Sequence, residues 1–316
     1  MAGQNTQIIA NDYNVIQSKI ALVLGSGTGN KGYGQTVSSS QVGQYSKITV
    51  AQWADLRNDL ARARQHQTGV TLGILAPEDP GYVAESNLPV PSTAKQVRES
   101  WREAYLNMAT TCDTNYLVAP PPVGQASRGD IVSQQIRNTA WNGTIVQTVQ
   151  ITWTTADDAR YFFNTGSQIE FSADRSGGSA GIKNATWTTM FSDMGTIAMN
   201  YTRTTCTGTG TTSTLGFYDL TTTNNLIFEK NAPTGAYSPN HYYIYARVND
   251  TGANRRILYF EIRFGDDSLA PSSFPDPGFG IDENVDGTLT STVQAYRASG
   301  SNVSVPLPSA ITTPIN

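Results

Sequence analysis

Apolar residues recur every three or four positions over the first third of the chain and every second position over much of the rest. From Asp12 onward, Tyr13, Ile16, Ile20, Val23 and Leu24 fall on one helical face, and Gly25 stands where a C-terminal cap belongs. A second helix is expected after Thr49, whose hydroxyl can accept from a first-turn amide while Gln52 reaches back. Trp53, Leu56, Leu60 and Ala63 form its stripe, and it ends by Gly69. A third, from about Thr93 to Thr110, carries Val97, Trp101, Ala104, Tyr105 and Met108 on one side and Glu99, Arg102 and Glu103 on the other. Three such stripes can close a small bundle.

The run Ala119, Pro120, Pro121, Pro122, Val123, Gly124 cannot continue a helix, because successive prolines lack amide donors and push the preceding residues into extended conformations. Beyond it the period becomes two: Val149, Ile151 and Trp153 alternate with Thr148, Gln150, Thr152 and Thr154. Further strands are expected at 168–173, 197–203, 215–220, 226–230, 242–248, 257–264, 289–296 and 302–305. Two short helices should interrupt them, at 155–164 before Gly166 and at 184–194 before Gly195, each covering an open end of the sheets. The expected class is α+β: a helical docking or oligomerisation domain at 1–118, a Pro-rich linker at 119–125, and a mainly antiparallel β-sandwich at 126–316, jelly-roll-like or immunoglobulin-like.

Composition narrows the chemistry. Lys and Arg total 21 against 25 Asp and Glu, a net charge of -4, so no positive surplus is available to track a phosphate backbone and nucleic acid is not an expected partner. Two His and two Cys argue against imidazole-rich centres, disulfide scaffolds and Cys/His zinc sites. The N-terminal segment lacks a basic start followed by an apolar run, so no secretory signal is expected, and no apolar run approaches the roughly 20 residues that cross a bilayer.

Several local patterns carry possible chemistry. Gly27-Thr28-Gly29-Asn30-Lys31-Gly32 matches a dinucleotide fingerprint, but a helix precedes it and no helical period follows, so a connecting loop is expected. Asp282, Asn284, Asp286 and Gly287 reproduce the first half of a calcium loop. The closing twelfth position is Val293 rather than Glu, so these three residues are weak metal candidates beside an ordinary Asp-Gly turn. The carboxylate pairs Asp157/Asp158 and Asp266/Asp267 read as a helix first turn and a turn after a strand, His66 as a helix-terminal cation, and His241 as a strand-edge polar residue. No cofactor and no catalytic residue are assigned. Tyr242, Tyr243 and Tyr245 alternate across a strand, which should leave at least one ring partly exposed. With Trp141 and Trp187 they are the candidates for an interface or for sugar stacking.

Four stretches resemble virion structural proteins of tailed phages, especially the contractile-tailed phages of cyanobacteria. They are NDYNVIQSKIALVLGSGTGNKGYGQ, ITVAQWADLRNDLARARQHQTG, RYFFNTGSQIEFSADRSGGSAGIKNATWTTMFSDMGTI and DGTLTSTVQAYRASGSNVSV, together spanning nearly the whole chain. The resemblance implies a component of tail, neck, baseplate or fibre, made in the bacterial cytoplasm and assembled into a phage particle. With no catalytic constellation and a weak net charge, a non-enzymatic homo-oligomer bound to other virion proteins is expected. A receptor module for host-surface glycan is the alternative partner reading, and a carbohydrate-degrading enzyme a more distant one.

Overall fold

The computed structural model describes residues 10–71, 94–121, 127–233, 235, 237–268 and 284–316, with the backbone alone for 94–101. It is α+β, with five helices and two antiparallel sheets among the described residues. The side chains of the expected stripe residues Val97 and Trp101 and of the acidic Glu99, and the linker residues after Pro121, lie outside what is described. No described helix is long and apolar enough to cross a membrane.

The chain divides into two compact units. The first comprises Met1–Ser127, Arg160–Gly166 and Ala298–Val305. Its helices are α1 (Ala10–Leu24), α2 (Val50–Thr68) and α3 (Ala94–Thr114). The stripe of α1 is buried as spaced, with Tyr13, Ile16, Ile20, Val23 and Leu24 in a core shared with Leu56, Leu60, Ala63, Tyr105, Ala109 and Cys112. At the start of α2 the Thr49 hydroxyl accepts from the Gln52 N–H at 3.2 Å and the Gln52 side chain accepts from the Thr49 N–H at 2.8 Å. Gly69 ends the helix in the left-handed conformation, φ 73°, where an L side chain would be strained. Ala298 and Val303 enter the same core from a late hairpin bridged between Ser299 and Ser304.

The second unit comprises Arg128–Ala159, Ser167–Arg297 and Pro306–Asn316. One sheet runs β1 (Ser127–Arg137), β10 (Thr288–Ala298), β3 (Gln168–Ser176), β4 (Ile197–Met199), β5 (Thr204–Cys206). The other runs β11 (Ser309–Thr312), β2 (Gly143–Thr152), β9 (Ile257–Asp266), β8 (His241–Val248), β7 (Asn225–Asn231), β6 (Thr211–Thr212). The inner faces meet where Phe171 of β3 and Phe260 of β9 pack edge to face at 4.9 Å. Helix α5 (Ile182–Met194) buries Trp187, Met190, Phe191 and Met194, with Phe191 against Tyr242 and Phe264. Helix α4 (Ala156–Asn164) begins in this unit and ends in the first.

Three expected strands differ. The 197–203 run stops at Met199, because the Asn200 side chain accepts from the Thr202 and Arg203 N–H groups and turns the chain. Residues 215–220 fold into turns closed by Leu220 N–H to the Gly216 carbonyl. Residues 302–305 make a single bridge rather than a strand.

Candidate interaction surface

Strict alternation splits β8 and β9 into two rows. Tyr242, Ile244, Ala246 and Val248, with Leu258, Phe260, Ile262 and Phe264, point into the sandwich and are buried. His241, Tyr243, Tyr245 and Arg247, with Tyr259, Glu261 and Arg263, line the other face and are half-buried. Register sets Tyr243 opposite Arg263, Tyr245 opposite Glu261, and Arg247 opposite Tyr259. It continues the row onto β2, where Tyr259 faces Gln150 and Glu261 faces Thr148, and from Gln150 to Ile311 of β11.

The outer side chains order one another. The Arg247 guanidinium lies 3.9 Å above the Tyr259 ring centre, and that of Arg263 lies 4.7 Å above Tyr245. His241 stacks on Tyr243 at 3.9 Å and 23°. Glu261 accepts from Arg263 and, at 3.1 Å, from the Asn224 amide. The Tyr243 hydroxyl donates to Glu229 at 3.4 Å; burial first, then the Glu229 charge, raises its pKa. Near β11 the face dips into an open groove of about 310 Å³ lined by Thr148, Gln150, Asn224, Arg247, Tyr259 and Ile311. Ile311 is 69% exposed there. Tyrosines and arginines already held in place lose little side-chain entropy on contact.

The structure separates the aromatic candidates. Tyr243 and Tyr245 lie on this face. Tyr242 is fully buried, with its hydroxyl pKa pushed up by burial. Trp141 and Trp187 are also core residues, 3% and 0% exposed, with rings 5.8 Å apart. Trp141 is drawn in by its two-way bridge to Val285 and Trp187 by the buried stripe of α5, so neither ring nor that of Tyr242 is an exposed stacking platform. The spacing missed Arg247, Tyr259, Glu261 and Arg263, although the β9 alternation Ile257-Leu258-Tyr259-Phe260-Glu261-Ile262-Arg263 carried the signal.

Of the calcium candidates, Asp282 lies outside the described residues and Asn284 is exposed. Asp286 is engaged by the Ser179 N–H and hydroxyl, both at 3.1 Å, by the Asn184 amide, and by Arg175 at 3.4 Å. The Ser179 N–H leads in holding its carboxyl below the usual range. This carboxylate staples 176–184 to the start of β10. Among the described residues no three His, Cys, Asp or Glu gather. Asp158 closes a capping box with Thr155, and Asp266 and Asp267 part company, the first buried and the second exposed. His66 is not the expected cation: buried, it is pushed down to about 4 by desolvation, opposed in part by the Thr165 backbone. In the Gly27–Gly32 region, the carbonyls of Ser26, Gly29, Asn30 and Gly32 are bound by Arg160 and Asn164, so this is a packed connecting loop.

Compared with protein-family models, curated proteins and solved structures, the chain matches none.

Proposed function

We propose that this chain is a structural component of a tailed-phage virion, in the tail, neck, baseplate or fibre, that works by contact with other virion proteins and with copies of itself. The observation that carries the reading is the outer face of the six-stranded sheet, where Tyr243, Tyr245 and Tyr259 are ordered by His241, Arg263 and Arg247. The basic and acidic groups there offset each other, so recognition rests on shape and hydrogen bonding more than on long-range attraction. The resemblance of four stretches to virion proteins supplies the assembly.

The first test is stoichiometric presence in purified particles, quantified by mass spectrometry. A double variant, Tyr245→Ala with Arg263→Ala, should fold normally by circular dichroism yet enter particles at least tenfold less, as expected for two hot-spot losses of about 1–2 kcal/mol each. Absence of the polypeptide from mature particles defeats the reading. The open groove beside Tyr259 and Asn224, which sets an aromatic ring next to amide and hydroxyl side chains, favours a second reading, host-surface glycan binding. Saturable glycan-array binding abolished by Tyr259→Ala would move the assignment there.

A further inference from the structure

Lys183 opens α5 and Asp266 closes β9, 83 residues apart, and their side chains meet in the interior of the second unit. Their side chains are 1% and 0% exposed, with Nζ 2.7 Å from Oδ2. The other carboxylate oxygen has a different partner: the Ser268 hydroxyl donates to Oδ1 at 3.0 Å. Ser268 is fixed in turn by its N–H, which donates to Asn240 Oδ1 at 2.8 Å. Asn240 is itself fully buried, and its Nδ2 has no hydrogen-bond partner among the described residues. One carboxyl group thus has a primary amine on one oxygen and a hydroxyl donor on the other, in a pocket closed to water.

Removing an ion pair from water costs both partners their hydration, and a dry interior narrows the gap between the ion pair and the neutral amine with neutral acid. Those neutral forms are a nucleophile and an electrophile. Contact imposed by the fold replaces a bimolecular encounter with a unimolecular one, and exclusion of water removes the competing solvent.

We propose that Lys183 and Asp266 condense into an intramolecular isopeptide bond. The Nζ lone pair attacks Cγ and forms the N–C bond. Negative charge gathers on Oδ1, where the Ser268 hydroxyl donates. The Cγ–Oδ2 bond then breaks, and Oδ2, with the acid proton and one proton from nitrogen, leaves as water. The product is a secondary amide, and no oxidant, reductant or cofactor takes part. The bond fixes the first turn of α5 to the end of β9, a covalent tie suited to a protein that bears load in an assembly.

Mass spectrometry of the folded, then denatured, full chain decides this directly. The expected mass is one water below the sequence mass. Trypsin, unable to cut after an acylated lysine, should yield residues 176–203 joined to 264–297 in a single branched peptide. Lys183→Met should restore the variant's full mass and separate the two peptides, and Ser268→Ala should slow bond formation about tenfold. A wild-type chain at full sequence mass with linear peptides overturns the proposal, whether or not either variant folds. So does a water loss that maps to a succinimide at Asp286–Gly287.

Discussion

Neither ring nitrogen of His66 has a partner of good hydrogen-bond geometry, and the ring sits edge to face against Tyr33 at 5.3 Å, wholly buried. Its folded pKa of about 4 lies below the ordinary 6.5, so as pH falls from 6.5 the unfolded chain takes up a proton that the folded chain refuses. The stabilising effect is complete above pH 6.5 and is lost progressively down to about pH 4, below which it stops changing. The loss is ~3 kcal/mol at most. Urea unfolding across that window should show wild type falling more steeply than His66→Gln, with the difference vanishing at pH 7. Overlaid curves would mean that the native imidazole is hydrated. The position was legible: 56, 60, 63 and 66 continue one helical face, so the apolar stripe of α2 reaches the histidine, and the neighbouring Arg62 and Arg64 were the misleading feature. Trp141 was less legible, because its burial follows from pairing with Val285, far off in sequence.

Among elements, periodicity and caps were informative where local physics governs. The capping box at Thr49, the glycines ending α2, α4 and α5, and the alternation of β2, β8, β9 and β10 all read directly. Thr49→Ala should cost about 1 kcal/mol in chemical denaturation, as measured for caps of this kind. Strand β1 was missed because Ser127–Arg137 has few apolar residues and only Ser133 is buried, while β5, β6 and β11 are too short to show a period. Loop anchoring was equally hidden, since the Ser26–Gly32 carbonyls meet side chains more than a hundred residues away. Asn164, fully buried, donates to Asn30 at 2.7 Å and Gly32 at 3.0 Å. Asn164→Ala leaves both carbonyls short of that donor and should lower unfolding free energy by about 2–3 kcal/mol. A change below about 0.5 kcal/mol would mean that water replaces the amide at no cost.

At the level of the whole chain, the order helices-then-strands suggests a unit that could be cut out at the proline run, yet its core is assembled from three separate segments. Ala298 and Val303 lie among the α1, α2 and α3 side chains. Asn302 donates to Gln65 at 2.8 Å, and its carbonyl accepts from Arg62. The Val118 N–H donates to the Asn164 carbonyl at 2.9 Å. A period of 3.6 announces that a stripe is buried but not which distant residues complete the burial, so the late contribution could not be read from the first 118 positions. A fragment of residues 1–121 would expose the apolar area that Ala298 and Val303 cover and lose the Asn164 and Asn302 bonds together. Small domains have little stability in reserve against such losses. Expressed alone, it should keep far-ultraviolet helical signal, bind a hydrophobic dye and melt without a cooperative transition, while the full chain melts sharply. A sharp melt for the fragment would show that three helices close their own core and that 160–166 and 298–305 merely rest upon it.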